Sequence, residues 1–276
     1  MRKFQGQNVL ITGGSSGIGL AAAGMLAQQG ANVWLMARHP GRLQRALDEI
    51  RQQAPAQAER CGILSADVRD AHAVQQAIAH MRMQVGAVQL LINAAGVTRP
   101  GYAHQLPLQV YRDAMDVNYF GTLHTIQAIL PDMLAQRTGH IVNISSLAGI
   151  FGVFGYAAYG ASKFAVTGLS DVLRAELRWQ GIRVSLVLPP DTDTPMLAEE
   201  MPYKPPETRA LSATAGLLSP QRVAEEMLRG VSRGRYLILP GFESKSLYWL
   251  TRLLGSGQYG LMDFLVAQAR KKLQTP

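Results

Sequence analysis

Asn8-Val9-Leu10-Ile11 is a short apolar run that stops at Thr12-Gly13-Gly14-Ser15-Ser16-Gly17-Ile18-Gly19 and restarts as an alanine-rich helical pattern from Ile18 to about Gln29. A buried strand feeding a helix through a glycine turn is the opening half of a βαβ unit, because a parallel strand can be re-entered only through a crossover. The alternation then repeats. Ala31–Ala37, Cys61–Leu64, Val88–Ile92, His140–Ile144, Val184–Leu188 and Tyr236–Leu239 read as further strands, separated by helical patterns such as 71–84 and 111–136, the latter with Pro131 inside it as an expected kink. The expected fold is α/β, a doubly wound parallel sheet with helices on both faces and a helical extension at the C-terminus.

The glycine turn also suggests a ligand. Glycines 13, 17 and 19 follow a G-x-x-x-G-x-G spacing, which lets a pyrophosphate approach the backbone at a helix N-terminus carrying unpaired N–H groups and a favourable dipole. A purely structural turn is the alternative. In dinucleotide sites an acid at the end of the second strand holds the adenosine ribose, but here that strand ends in Arg38. A guanidinium attracts a 2′-phosphate where a carboxylate would repel it, so NADPH is expected over NADH. Ser15 adds a hydroxyl, Arg42 is either a second cation or a solvated helix-face residue, and Asp67 is either an acceptor for an adenine amino group or a helix N-cap.

A second cluster carries acid–base chemistry. Tyr159 and Lys163 in Tyr-Gly-Ala-Ser-Lys are four apart, hence on one helix face. A nearby ammonium is expected to lower the tyrosine pKa toward that of a working proton donor, though such a pair is also an ordinary solvated face. Tyr156 has Gly160 four residues on and so lacks that partner. The strand 140–144 runs into Ser145-Ser146, whose hydroxyls would reach the crevice at the strand's carboxyl end, and Asn118 is a candidate to hold a water or else an ordinary helix-interior amide.

Taken in order, Thr12-Gly13-x-x-x-Gly17-x-Gly19, Asn93-Ala94-Ala95-Gly96, Asn118, Ser146 and Tyr159-x-x-x-Lys163 resemble the short-chain dehydrogenase/reductase family over about residues 5–240, most of the chain. The resemblance implies a Rossmann fold and a catalytic set of Asn118, Ser146, Tyr159 and Lys163. Tyr159 would protonate a carbonyl oxygen, Ser146 would orient it, Lys163 would hold the nicotinamide ribose, and Asn118 would anchor a relay water. It also implies a cofactor set of Thr12, Gly13, Ser15, Ser16, Gly17, Ile18, Gly19, Arg38, Arg42, Asp67, Val68, Asn93, Ala94, Gly96, Tyr159, Lys163, Pro189, Thr192 and Thr194. Many members carry Pro-Gly after the sixth strand; this chain has Pro189-Pro190, which stiffens the loop. The stretches Pro-Pro-Asp-Thr-Asp-Thr-Pro, Ala-Glu-Glu and Lys-Pro-x-Glu-Thr-Arg are similar to the 3-ketodihydrosphingosine reductase group of that family, which implies NADPH-dependent reduction of 3-ketosphinganine, a long-chain amino ketone. Phe151, Val153, Phe154, Met196, Leu197 and Met201 would then line an apolar channel, or else pack as core. A reductase of another lipid-like ketone, such as a 3-oxoacyl thioester or a steroid, and a non-catalytic NADPH sensor are the other readings.

Composition narrows the partners. No window reaches the roughly 18 apolar residues of a membrane span, and no cleavable leader is apparent, so a cytoplasmic protein is expected. Cys61 is the only cysteine, which leaves no intrachain disulfide or cysteine metal cluster, and Asp191 and Asp193 read as turn acids, so no metal is expected. Of the net charge of +8, +6 lies in residues 201–276. The extension 241–276 mixes apolar and aromatic residues with Arg252, Arg270, Lys271 and Lys272, and is expected either to be part of the same domain or to serve peripheral contact with an anionic membrane or a subunit interface in a homo-oligomer. No recognition motif for nucleic acid accompanies the charge.

Overall fold

The computed structural model describes residues 3–212 and 216–274; the first two residues, and the end of the C-terminal extension at 275–276, lie outside the described residues. Strand β1 (Asn8–Thr12) leads to helix α1 (Gly17–Gln28), β2 (Asn32–Ala37), α2 (Pro40–Gln53), β3 (Gly62–Ser65), α3 (Ala71–Val85) and β4 (Leu90–Asn93). The second half runs through α4 (Leu108–Ala114), α5 (Gly121–Gln136), β5 (Gly139–Ile144), α6 (Ala157–Leu177) and β6 (Ile182–Val187) to α7 (Pro195–Glu200), α8 (Pro206–Ser212), α9 (Pro220–Val231), β7 (Leu237–Ile238), α10 (Gly241–Leu254) and α11 (Gly257–Gln274). All strand pairs are parallel, in the order β3-β2-β1-β4-β5-β6-β7. The doubly wound sheet expected from the alternation is present, with its last strand reduced to two residues.

The alternation of strand residues builds two cores, one on each face. Val9 and Ile11 of β1, with Val33 and Leu35 of β2, pack against α1, α2 and α9 through Leu26, Leu43 and Met227. Leu10, Trp34 and Met36, pointing the other way, join Val74 of α3, Ile126 of α5 and Leu173 of α6. A polar row crosses the second core: Thr125 donates to the Asn93 amide oxygen (2.7 Å), Asn93 to that of Asn143 (2.9 Å), and Asn143 to Ser170 (2.9 Å). Every member has a partner, as buried amides require.

One departure from the sequence reading bears on the site. The expected continuous helix over 111–136 is interrupted between α4 and α5 by a π-helical turn at Met115–Phe120, which carries Asn118. Such turns widen the helix by a residue and recur at functional sites. The C-terminal extension also packs on the body. Leu247 and Tyr248 of α10 cover Leu186 and Leu188 beyond the sheet's core, Ala269 of α11 is buried, and Arg270 Nε lies 3.1 Å from Glu207 Oε1 of α8. Among the described residues no helix is long and apolar enough to cross a membrane.

Candidate active site

The sheet order reverses between β1 and β4, and a crevice opens there at the carboxyl ends of the strands. The loops leaving the two strands are locked together. Thr12 Oγ1 accepts the backbone N–H of Ala94 and of Ala95, each at 3.2 Å. Gly13 has φ +66°, and a Cβ there would stand 2.7 Å from the backbone of Ala94, so only glycine passes at this crossing. A Cβ on Gly19 would meet the Gly13 carbonyl oxygen at 2.7 Å. Ser16 caps α1 in extended conformation without a side-chain cap bond, and no acid occupies the first turn. The first N–H groups of a twelve-residue helix are thus free of internal competitors at a loop stripped of side chains, which fits a pyrophosphate. Ser15 is partly buried in the same loop, while Ile18 turns its side chain into the first core.

The adenosine end of such a ligand would meet cations. Arg38 is exposed immediately after β2, and Arg42 is exposed in the first turn of α2. Asp67 is held by Arg69, with Nη2 at 2.6 Å from Oδ2 and the Arg69 N–H at 3.0 Å from Oδ1. Burial alone would raise this carboxyl, but the Arg69 contacts, helped by Arg38, outweigh it and hold the group below the usual aspartate range. The N-cap of α3 is Asp70, which accepts the N–H groups of His72 and Ala73, so the capping reading of Asp67 is not what the structure has. Val68 packs under Gly121, and its carbonyl is bonded to His124 Nδ1 at 2.8 Å. Arg69 was not legible as a member of this corner, because its role depends on an Asp–Arg turn two residues long.

At the other end of the crevice the proposed catalytic side chains converge. The Ser146 hydroxyl stands near enough to the Tyr159 phenol to favour its ionised form, and Ser146 Oγ accepts the N–H of Ala148 at 3.1 Å. Lys163 is buried; its Nζ donates to the Ile144 carbonyl at 2.9 Å and lies 5.6 Å from the centre of the Tyr159 ring. The neighbouring Ser145 takes no part in the crevice, since its hydroxyl donates to the Lys163 carbonyl at 2.9 Å and so ties α6 to the end of β5. Asn118 is 1% exposed, and its amide is fully engaged: Oδ1 accepts the Val97 N–H (2.8 Å), and Nδ2 donates to the Val97 carbonyl (3.0 Å) and to Ser162 Oγ (2.8 Å). Its amide is therefore a splint between the β4 exit loop and α6. A Cβ on Gly96 would lie 3.2 Å from Asn118 Oδ1 and 3.7 Å from Lys163 Nζ, which places that glycine beside both. The Asn93 side chain faces into the polar row of the core, leaving its backbone at the strand end.

Electrostatics at Tyr159 differ from the sequence expectation. Burial raises the phenol pKa, Glu200 and Asp191 add to the rise, and only the Ser146 hydrogen bond opposes it. Lys163 is itself pulled down to about 8 by burial, so the ammonium one turn away does not set the phenol's balance. The physical reason is that desolvation penalises both charged forms when phenol and amine share one buried site. The outcome is a phenol that keeps its proton, the form in which an acid must start.

The segment 189–200 roofs this crevice. The Pro189 carbonyl accepts the Leu147 N–H at 3.2 Å, and Thr192 Oγ1 turns back onto the Pro190 carbonyl at 2.9 Å. Thr194 caps α7 by accepting the Leu197 N–H at 3.4 Å, and its Cγ2 lies 3.1 Å from where a Gly17 Cβ would be. Met196 Cε reaches to 3.5 Å from the corresponding point on Gly96. At the end of α7, Glu200 is buried between the Tyr156 hydroxyl (2.6 Å) and Lys204 Nζ (2.9 Å). Tyr156, which has a glycine rather than a lysine four residues on, thus finds its partners 44 and 48 residues on. The Glu200/Lys204 spacing of four was the only trace of this in the sequence. Phe151 packs with Leu147, Leu186 and Leu188 as core, whereas Phe154 lies edge-on to Tyr102.

The buried amine has a measurable consequence. A lysine at about 8 when folded, against 10.5 in the open chain, binds fewer protons folded than unfolded between those values, so stability rises with pH across that window and falls as pH drops through 8. Urea unfolding from pH 8 to 9.5 is expected to show a gain of about 2 kcal/mol that Lys163→Met removes; an equal gain in the variant would show that Lys163 is not the group responsible.

Residues 7–204 match the family model described as short chain dehydrogenase. The chain is 36% identical over 247 residues to the 3-ketodihydrosphingosine reductase of Mus musculus, covering 89% of this chain and 74% of that protein. It is 37% identical over 244 residues to a 3-dehydrosphinganine reductase of Arabidopsis thaliana, covering 87% and 72%. The solved structure of ElxO with NADP bound superposes with a TM-score of 0.70 at 26% identity, over 79% of this chain and 88% of that one. The family match and the NADP-bound ElxO neighbour support a nicotinamide cofactor, which the glycine loop and the open helix terminus suit. The chain belongs to the short-chain dehydrogenase family of oxidoreductases.

Proposed function

We propose that the protein reduces 3-ketosphinganine to sphinganine with NADPH. The observation that carries the reaction class is the Tyr159 phenol, kept protonated by desolvation and set close to the Ser146 hydroxyl and the buried Lys163 at the mouth of a crevice that suits a dinucleotide. The substrate class rests on the likeness to sphingoid-ketone reductases across most of the chain. When bound, the reduced nicotinamide supplies a hydride to the carbonyl carbon. Tyr159 gives its proton to the carbonyl oxygen, Ser146 holds that oxygen in line, and Lys163 holds the nicotinamide ribose through its hydroxyls. Asn118 acts through Lys163 and α6 by fixing the wall against which both rest; its backbone carbonyl, which accepts the Thr122 hydroxyl at 2.8 Å, keeps a second lone pair for a relay water. Thr194 and Pro189 shape the roof over the cofactor, and Thr192 stiffens it. Purified protein with NADPH should oxidise the cofactor faster with 3-ketosphinganine than with an acetoacetyl thioester. Tyr159→Phe should lose activity by roughly 10²-fold or more while binding NADPH as before. Unchanged turnover in the variant contradicts the assigned acid, and the reverse substrate preference contradicts the sphingoid assignment.

The choice of NADPH rests on Arg38, with Arg42 and Arg69 near it and the one nearby acid, Asp67, already paired. A charge-assisted contact to a 2′-phosphate is worth about 1.5–3 kcal/mol. Arg38→Ala should therefore cut the NADPH-over-NADH ratio of binding constants, read by nicotinamide fluorescence, by about tenfold or more; an unchanged ratio places the discrimination elsewhere.

The extension supports a proposed peripheral location. Phe242, Trp249, Leu253 and Phe264 are 82%, 66%, 85% and 63% exposed on α10 and α11, in the part of the chain that holds most of the net positive charge. Arg270 is not available for lipid, being paired with Glu207. The proposed partner of this face is an anionic bilayer at the cytoplasmic side, met peripherally. Because Leu247 and Tyr248 pack on the core, substitution is a cleaner test than deletion. The triple change Phe242→Ser, Trp249→Ser and Leu253→Ser should abolish sedimentation with phosphatidylserine-containing vesicles; retained sedimentation, with a fall in particle mass from a homo-oligomer to one chain, assigns the face to a subunit interface instead.

A further inference from the structure

Two carboxylates act on the Tyr159 hydroxyl, Glu200 and Asp191, and they are not equivalent. Glu200 is buried and fully compensated, by the Lys204 ammonium at 2.9 Å and the Tyr156 hydroxyl at 2.6 Å, and Lys204 is itself buried with a further contact to Ser212 Oγ at 3.4 Å. Its charge belongs to the scaffold that ties the roof to the first turn of α6. Asp191 is only partly buried, and among the described residues its carboxylate accepts no hydrogen bond and pairs with no cation. Its backbone is nevertheless held firmly. Pro189 and Pro190 precede it with restricted φ, the Pro189 carbonyl is bonded to the residue after Ser146, the Asp191 carbonyl accepts the Leu218 N–H at 3.1 Å, and the Asp193 N–H returns to the Leu218 carbonyl at 2.9 Å. The backbone at Asp191 is thus fixed two residues beyond the Pro189 contact with Leu147, with its unpaired charge within electrostatic reach of Tyr159 at the catalytic end of the crevice.

Such a charge has no structural return: no side chain answers it among the described residues, and it works against ionisation of the acid it stands beside. A cationic group on the substrate would answer the charge and offset that effect. In a 2-amino-3-ketone the ammonium sits on the carbon next to the carbonyl, so a carbonyl oxygen placed between Tyr159 and Ser146 carries the ammonium into the same corner. We propose that Asp191 binds the substrate's ammonium group and is the residue that selects an amino ketone over a neutral one. The assignment rests on the reductase reading above and deepens it, and it gives a physical reason for a proline-stiffened Asp-Thr-Asp-Thr stretch after β6.

The test compares two substrates in one assay: 3-ketosphinganine and the long-chain 1-hydroxy-3-ketone that lacks only the amine, each with NADPH. The native enzyme should prefer the amino ketone in kcat/KM. Asp191→Asn should lower that preference by about tenfold or more, expressed mainly in KM, as expected for loss of a charge-assisted contact, while Asp191→Glu restores part of it. The binding constant for NADPH, measured in the same preparation, should stay within about twofold, which separates loss of substrate recognition from a disturbed fold. An equal loss on both ketones, or no loss on either, overturns the assignment and leaves the reductase reading intact. If the native enzyme reduces neither ketone, the reductase reading itself fails and takes the assignment with it, an outcome visible before any variant is made.

Discussion

One hydroxyl sets the geometry on which the crevice depends. Thr12 ends β1, pairs in register beside Asn93 of β4, and accepts two successive N–H groups from the loop leaving that strand. Parallel strands on either side of a reversal would otherwise send their loops apart, and the two donors would be unsatisfied at the bottom of a polar cleft. Held by Thr12, the loops approach until Gly13 lies against the backbone of Ala94, leaving no room for a side chain. The cofactor loop and the wall beneath Asn118 and Lys163 are therefore one rigid unit, which is the preorganisation a hydride transfer needs.

The second constraint is how charge is distributed in a dry pocket. Lys163 is anchored at both ends, Nζ on the Ile144 carbonyl and its own carbonyl under the Ser145 hydroxyl. It is thereby fixed in place, while burial weakens it as a cation. Tyr159 gains no relief from it and stays protonated. Acidity at the moment of reaction must then come from the developing negative charge on the carbonyl oxygen, which a buried donor meets without solvent reorganisation. Further out, Glu200, Lys204 and Tyr156 cancel one another and brace α7, while Glu207 does the same for α8 through Tyr102 and Arg270. The roof is held by the compensated pairs of Glu200 and Glu207, whereas Asp191 has no such partner among the described residues.

Much of this was legible in the residues. The alternation of apolar runs with helical patterns specified the parallel sheet because each buried strand needs a crossover, and the positions of Gly13, Gly17 and Gly19 marked the loop because only glycine tolerates those backbone conformations and approaches. What escaped depended on distance in the chain or on balance between opposing terms. The π-helical turn at Asn118 has no periodic signature six residues long. The partners of Tyr156 come from a helix 44 residues away, and the pairing of Asp67 with Arg69 competes with the N-cap reading until Asp70 is seen to fill it. The sign of the Tyr159 shift was misread because i,i+4 spacing reports the proximity of an ammonium but not the burial that raises the phenol and lowers the amine together.

The central claim is that a nicotinamide bound on the Thr12–Gly19 loop delivers hydride to a sphingoid carbonyl held by Tyr159 and Ser146. Isotope transfer reads this directly. With NADPH deuterated at the transferring C4 position and 3-ketosphinganine in ordinary water, mass spectrometry of the product should find one deuterium, on C3 of the amino alcohol. Unlabelled sphinganine, or label on any other carbon, would contradict the account.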